Sequence, residues 1–512
     1  MSHMEKPNSR PIAASSSGLI PLRLGIDANH QPVVFLHRDS VVCCAEGLQG
    51  HSRLQVHVGA RSIVALLDVV SGQLLDVNQA GFSEAAWALL SPAPGEMVTF
   101  SPSPPLDSMS AVRTRIYGGK LERAQFDAIM QDVVAQRYSD AQLAAFVSAC
   151  AHPSFSEDET LDLTRAMVGV GNRLHWNSAI VVDKHCVGGI PGNRTTLIAV
   201  PIVTALGLVI PKTSSRAITS PSGTADTMEV LAPVSLSLAQ MRGVVEREGG
   251  CIVWGGAVDL SPADDLLIRI ERALDIDGTG QLIASVISKK VAAGATHVVF
   301  DIPVGPSAKL RSPLAAQALE GALQRVGTRM GLQVRCLLSD GTQPVGRGIG
   351  PALEAHDVLA VLRGAVQAPA DLRERGLALA ASIIEMGGLA PPGGGLAIAT
   401  AVLDDGRANA KFEAICAAQG GMRVPGHAKH KHDVVAPHSG MIGSIDNRLI
   451  ARTAKLAGAP LDPTAGMYLH VRVGDHVDAG DPLFTLHAES RGELAYALAF
   501  VKNHMKLIDV MP

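Results

Sequence analysis

The chain has 512 residues, 47% hydrophobic, 18% charged and 3% aromatic, with a formal net charge of -4. That length exceeds what one hydrophobic core organises and predicts about three domains, cored by Ala, Val, Leu and Ile. The slight negative charge excludes broad attraction to nucleic acid or an anionic membrane and makes a small anion the natural partner.

The opening Met1-Ser2-His3-Met4 reads as a cloning scar and the stretch to Gly18 as a loose tail. No signal-peptide pattern and no apolar run long enough for a membrane span is present, so a cytoplasmic protein is expected. The seven cysteines, Cys43, Cys44, Cys150, Cys186, Cys251, Cys336 and Cys416, lack metal-ligand spacing and read as free thiols.

From Leu19 to about Phe100, alternating stretches at Pro32–Leu36, Leu54–Val58 and Ser62–Val69 predict a β-rich N-terminal domain, residues 19–100. Ser101-Pro102-Ser103-Pro104-Pro105 is a stiff break, after which Lys120–Cys150 has helical spacing. Asp140 reads as a helix cap, and Ser156–Val168 as a second capped helix. At Ala179–Val182 the pattern becomes strand, glycine loop, helix, with further strands at Leu208–Pro211, Cys251–Trp254 and His297–Asp301. A helical insert runs from about Ala263 to Ala293. The fold class is therefore multidomain α/β: a helical domain of residues 101–180 plus 262–292, an α/β domain of 181–261 plus 293–426, and a C-terminal α+β domain of 427–512.

Two loops carry the chemistry. In Asp183-Lys184-His185-Cys186-Val187-Gly188-Gly189, a strand enters a glycine turn before a helix, which offers N–H groups and the Lys184 charge to an anion. Asn193-Arg194 follows Gly192 where a P-loop needs Lys-Ser/Thr, which disfavours an ATPase. Lys212 to Asp226 is dense in hydroxyls beside Lys212 and Arg216 and also suits phosphate, although such a loop can simply cap turns.

Four segments in order, DKHCVGGIPGNRTT at 183–196, KTSSRAITSPSGTADTMEVL at 212–231, SVISKK at 285–290 and DIPVGPSAK at 301–309, resemble the thymidine and pyrimidine-nucleoside phosphorylases. The closer likeness is to their longer, type 2 branch, which includes AMP phosphorylase, and it spans about residue 100 to the end. The resemblance implies phosphate binding by Lys184, Gly188, Gly189, Thr196, Ser214 and Thr224. It places Ser285 and Lys289 against the base. By likeness to the AMP-phosphorylase branch, Gly189, Ser215, Arg216, Ala217, Ile218, Thr219, Ser220, Thr224, Ser285 and Lys309 are nucleotide-binding, and Asp277 is the proton donor. Asp277 reads equally as a turn residue between helices.

Two departures stand out. Cys186 replaces a serine that contacts phosphate in the shorter enzymes, and a thiol is a weak donor. Ile270 falls where those enzymes place an arginine against the pyrimidine, with Arg269 and Arg272 alongside.

The expected activity is phosphorolysis of the N-glycosidic bond of a nucleoside or nucleoside 5′-monophosphate. Inorganic phosphate is then co-substrate, without metal or other cofactor, in a homodimer or higher homo-oligomer. Alternatives are a thymidine phosphorylase restricted to pyrimidine nucleosides, a magnesium-dependent phosphoribosyltransferase using Asp226 and Glu229, and a nucleotide sensor without turnover. His427, His430 and His432 read as a solvated hinge rather than a zinc site, and Lys289-Lys290 as a surface pair but for the motif order.

Overall fold

A computed structural model describes residues 18–29, 31–45, 52–217, 220–258, 260–276 and 278–512. The chain forms two compact units, residues 1–109 with 135–139 and residues 110–134 with 140–512. None of the helices among the described residues is long and apolar enough to cross a membrane.

The first unit is built on strands Ile20–Ile26, Val33–His37, Arg53–Val58, Arg61–Val70, Gln79–Ser83 and Val98–Pro102, ordered first, fifth, second, fourth, third, sixth. Leu54, Val56 and Val58 alternate inward and are fully buried, as period-two patterning requires. Leu19 and Val98 exchange N–H to C=O bonds of 2.8 and 2.9 Å, joining the first strand's edge to the last strand and closing a barrel. The last strand takes in Ser101 and Pro102, so the proline-rich segment begins as barrel rather than as linker. Residues 135–139 also belong to this unit. Arg53 donates to the carbonyls of Arg137 and Gln136 at 2.9 and 3.1 Å, and the Ser108 and Tyr138 hydroxyls bond at 2.9 Å.

In the second unit a helical layer comprises Arg123–Val134, Asp140–Cys150, Glu157–Gly169 and two helices contributed from far along the chain, Pro262–Leu274 and Thr279–Ala292. Ser156 and Glu159 form a reciprocal capping box, so the expected cap is present. Asp140 opens its helix, but its carboxylate takes the Arg269 guanidinium at 2.7 and 3.0 Å, tying the inserted helices to the preceding ones. Ile270 is buried in that layer.

The α/β part contains strands Val182–Cys186, Ile210–Ser214, Gly250–Trp254, His297–Val304 and Gln333–Asp340, all parallel to their neighbours. Their order is 333–340, 297–304, 182–186, then 210–214 and 250–254, the two groups meeting at the Val181–Val209 bridge. The Thr196–Ala205 helix is buried along almost its whole length, packed by helices Ala370–Met386 and Arg407–Ala418.

The C-terminal part pairs His430–Val435 with Pro482–Ala488 and Gly466–Leu469 with both Pro482–Ala488 and the two-residue strand Gly348–Ile349. The histidine-rich stretch therefore enters a sheet instead of forming a hinge. His427 stacks on His356, with centroids 4.8 Å apart. Among the described residues no group of three potential ligands is placed to hold a metal.

Candidate active site

In parallel sheets ligands gather beyond the carboxyl ends of the strands, and most of the predicted residues lie there. Val182–Cys186 leads through Gly188 and Gly189, both left-handed at φ 96° and 90°, to the amino end of Thr196–Ala205. Only glycine holds those angles cheaply. A Cβ at Gly189 would also collide with the backbone nitrogen of Lys309, so the 301–309 loop packs directly on this turn.

Lys184 is 1% exposed, and its ammonium donates to Thr195 Oγ1 at 2.7 Å, the residue before Thr196. Burial pushes its pKa down, opposed by Cys186 and Asp301 and reinforced by Arg194 and Arg375. Ser214, closing the neighbouring strand, has a buried hydroxyl with no hydrogen-bond partner among the described residues. Such a group ordinarily finds a partner.

His185 is surrounded by cations. Burial, then Lys290, Lys212, Lys289 and Lys184, hold its pKa well below the usual imidazole range, so it is neutral. Burial, then Asp301, push the Cys186 thiol up to about 12. Its sulfur accepts from Asn193 at 3.0 Å, while the same amide donates to Asp301 at 2.9 Å. Cys186 is thus a neutral thiol and no candidate nucleophile.

Arg216 does not point its charge at an open site. It donates to Asp226 at 3.1 Å and to Glu229 at 2.5 and 3.1 Å, and its guanidinium lies 4.9 Å over Trp254. Asp226 also accepts from the N–H groups of Ala217 and Gly223 at 2.7 and 2.8 Å. Arg216, expected to be nucleotide-binding, is thus engaged in a clasp that shapes the loop carrying Ser215, Arg216 and Ala217 and brings it to Thr224. Ser220 turns its hydroxyl onto the Ser222 carbonyl at 2.8 Å. Ile218, Thr219 and Asp277 lie outside the described residues.

On the helical side Ser285 and Lys289, one turn apart on Thr279–Ala292, share a face. Ser285 is 8% exposed, and Lys289 reaches the buried Asp264 at 2.6 Å. Lys290, the neighbouring residue, is not a surface lysine but bonds Asp183 at 2.7 Å. Asp183, Lys290, Asp264 and Thr195 were not singled out by sequence reasoning, because burial of a charged pair leaves no local signature. The motif density around Lys184 is the signal nearest to them.

Residues 178–409 match the glycosyl transferase family a/b domain, 109–171 that family's helical bundle domain, and 441–507 the pyrimidine nucleoside phosphorylase C-terminal domain. The chain is 62% identical over 488 residues to "Putative thymidine phosphorylase 2" of Acidovorax sp. (strain JS42), covering 95% of both chains. It is 55% identical over 482 residues to "Putative thymidine phosphorylase" of Hahella chejuensis (strain KCTC 2396), covering 94% of this chain and 95% of that one. In fold it is similar to the crystal structure of anthranilate phosphoribosyltransferase from Thermus thermophilus. That match has a TM-score of 0.50 and 20% identity and covers 60% of this chain and 99% of that one.

Proposed function

The chain belongs to the thymidine phosphorylase family, and from that premise we propose that it cleaves the N-glycosidic bond of a nucleoside or nucleoside 5′-monophosphate with inorganic phosphate. The observation that carries the reading is the pairing of a buried Lys184 ammonium with the unpartnered buried Ser214 hydroxyl at adjacent strand ends. Both donate to an anion, and neither performs covalent chemistry.

The phosphate dianion is held by Lys184, Ser214, Thr196, Thr224 and the N–H groups of the Gly188-Gly189 turn. One of its oxygens forms a bond to the anomeric carbon as the carbon–nitrogen bond breaks. The electron pair of that bond leaves with the base. Lys289 and Ser285 stabilise the charge on the departing ring, and Asp277 supplies the proton it takes up. The products are free base and (deoxy)ribose 1-phosphate, or ribose 1,5-bisphosphate from a monophosphate. Inorganic phosphate is a substrate in this scheme, and no metal or other cofactor is required.

Likeness to the AMP-phosphorylase branch at Lys309, whose backbone abuts the Gly189 turn, favours a 5′-monophosphate; Arg216, engaged by Asp226 and Glu229, adds nothing to that choice. The same clasp removes the acidic pair that a magnesium-dependent phosphoribosyltransferase would use, which favours phosphorolysis. Release of free base from nucleosides and their 5′-monophosphates, with and without phosphate, tests the reading. Phosphate-dependent release is expected, and release independent of phosphate, or none from any substrate, would overturn it.

A further inference from the structure

Asp183 lies one residue before Lys184 and serves two lysines from different elements. Its Oδ2 is 2.7 Å from the Lys290 ammonium on the Thr279–Ala292 helix, next to Lys289. Its Oδ1 is 3.7 Å from the Lys212 ammonium, two residues before Ser214, and accepts the Lys184 backbone N–H at 2.7 Å. The side chains of Asp183, Lys290 and Lys212 are 1%, 3% and 6% exposed. One carboxylate facing two ammoniums leaves one positive charge unbalanced, while the Lys184 charge alongside faces the buried carboxylate of Asp301. A surplus buried charge is disfavoured in an empty site, and an arriving anion offsets it.

We propose that Lys212 is a positioning residue of the phosphate site that gives up its proton when the site is empty and regains it when a dianion binds. Through Asp183 and Lys290 the same cluster holds the base-facing helix against the phosphate loop. The inference rests on the phosphorolytic reading for the identity of the anion, though not for its charge.

The surroundings agree in sign. Burial, then Lys290, bring the Lys212 pKa down to about 7; Asp183 opposes the shift and Lys184 adds to it. From the flanking Gly250–Trp254 strand the group met is Cys251, whose thiol is pushed further up by burial and stays neutral. His185 is neutral too. A bound dianion favours the ammonium and raises this pKa. Above about pH 7, binding therefore takes up one proton, and affinity falls about tenfold per pH unit; below that pH the lysine is already charged and affinity is level.

Sulfate is the suitable probe because it remains a dianion across this range, whereas phosphate titrates itself. Calorimetric titration of the full chain with sulfate between about pH 6 and 9, in buffers of different ionisation enthalpy, reads affinity and proton uptake together. The wild type should lose about tenfold per unit above pH 7 with uptake of one proton. Lys212→Met should bind at least about tenfold more weakly at pH 6 and show no slope, and Lys212→Arg should show no slope at undiminished affinity. A wild type without slope or without sulfate binding, or a Lys212→Met variant that keeps the slope, overturns the proposal. Should Lys212→Met fail to fold, the wild-type slope and Lys212→Arg decide alone. If the slope is present but no nucleoside releases base, phosphorolysis is wrong and the charge reserve stands. If base is released but Lys212→Met keeps the slope, the reverse holds.

Discussion

Lys184 keeps its ammonium on Thr195 in a space almost closed to water, with the Asp301 carboxylate favouring its charge against the pull of burial. Replacing it by alanine removes the charge and leaves Ser214 and the glycine turn in place. Lys184→Ala should lower kcat/KM for phosphate by about a hundredfold to a thousandfold, the scale of losing one preorganised donor, while the thermal unfolding curve is largely kept. Steady-state kinetics with phosphate varied checks this, and a change under about tenfold would remove Lys184 from the phosphate site. Lys184, Gly189 and Ser214 stood out in the sequence because each belongs to a short run of distinctive neighbours. The burial of Lys290 did not, since its carboxylate partner stands 107 residues away in the chain, and Lys212 was visible beside the hydroxyls while its sharing of Asp183 was not. Arg216 misled for the same reason in reverse: its proximity to hydroxyls was visible, and its capture by Asp226 and Glu229 was a matter of how the loop folds back.

Between elements, the glycine loop is fastened to the α/β core by Arg194. Its guanidinium bonds Glu354 at the start of the Pro351–Leu362 helix and the Ser222 carbonyl of the hydroxyl-rich loop, while Thr227 donates to Glu354 at 2.8 Å. One fully buried carboxylate thus links the glycine loop to the hydroxyl-rich loop and the helix that follows it. Glu354→Ala would leave Arg194 buried without its counter-charge, at a cost of about 3–5 kcal/mol. The check is the urea midpoint, with the loss of phosphate affinity expected to accompany it; an unchanged midpoint would show the link to be dispensable. Four strands of this region were expected from apolar periodicity, but the one expected at Ala179–Val182 forms at Val182–Cys186, and Gln333–Asp340 was not foreseen. The C-terminal histidines entered a strand against expectation because alternate pairing with Pro482–Ala488 outweighs their polar character.

Across the whole molecule, the four-part architecture was visible in changes of sequence texture, but the seam between barrel and helices was not. Val98–Pro102 completes the barrel, and residues 135–139, placed between two helices, lodge with it through Arg53 and Ser108. Tyr138 is 4% exposed there. A chain lacking residues 1–105 should therefore retain phosphorolysis yet melt lower, by about 2–4 °C for each kcal/mol of lost packing. Differential scanning calorimetry beside the activity assay tests it, and an unaltered melting profile would sink the claim. The barrel has one further consequence. Its closure at Leu19 and Val98 is a latch of two hydrogen bonds, and while it holds, the two terminal strands are tied edge to edge at that residue pair. Unlatched, the barrel would become an open sheet with two sticky margins, each able to recruit a strand from a neighbour. Leu19, by holding that latch, thus works against recruitment of strands from other chains.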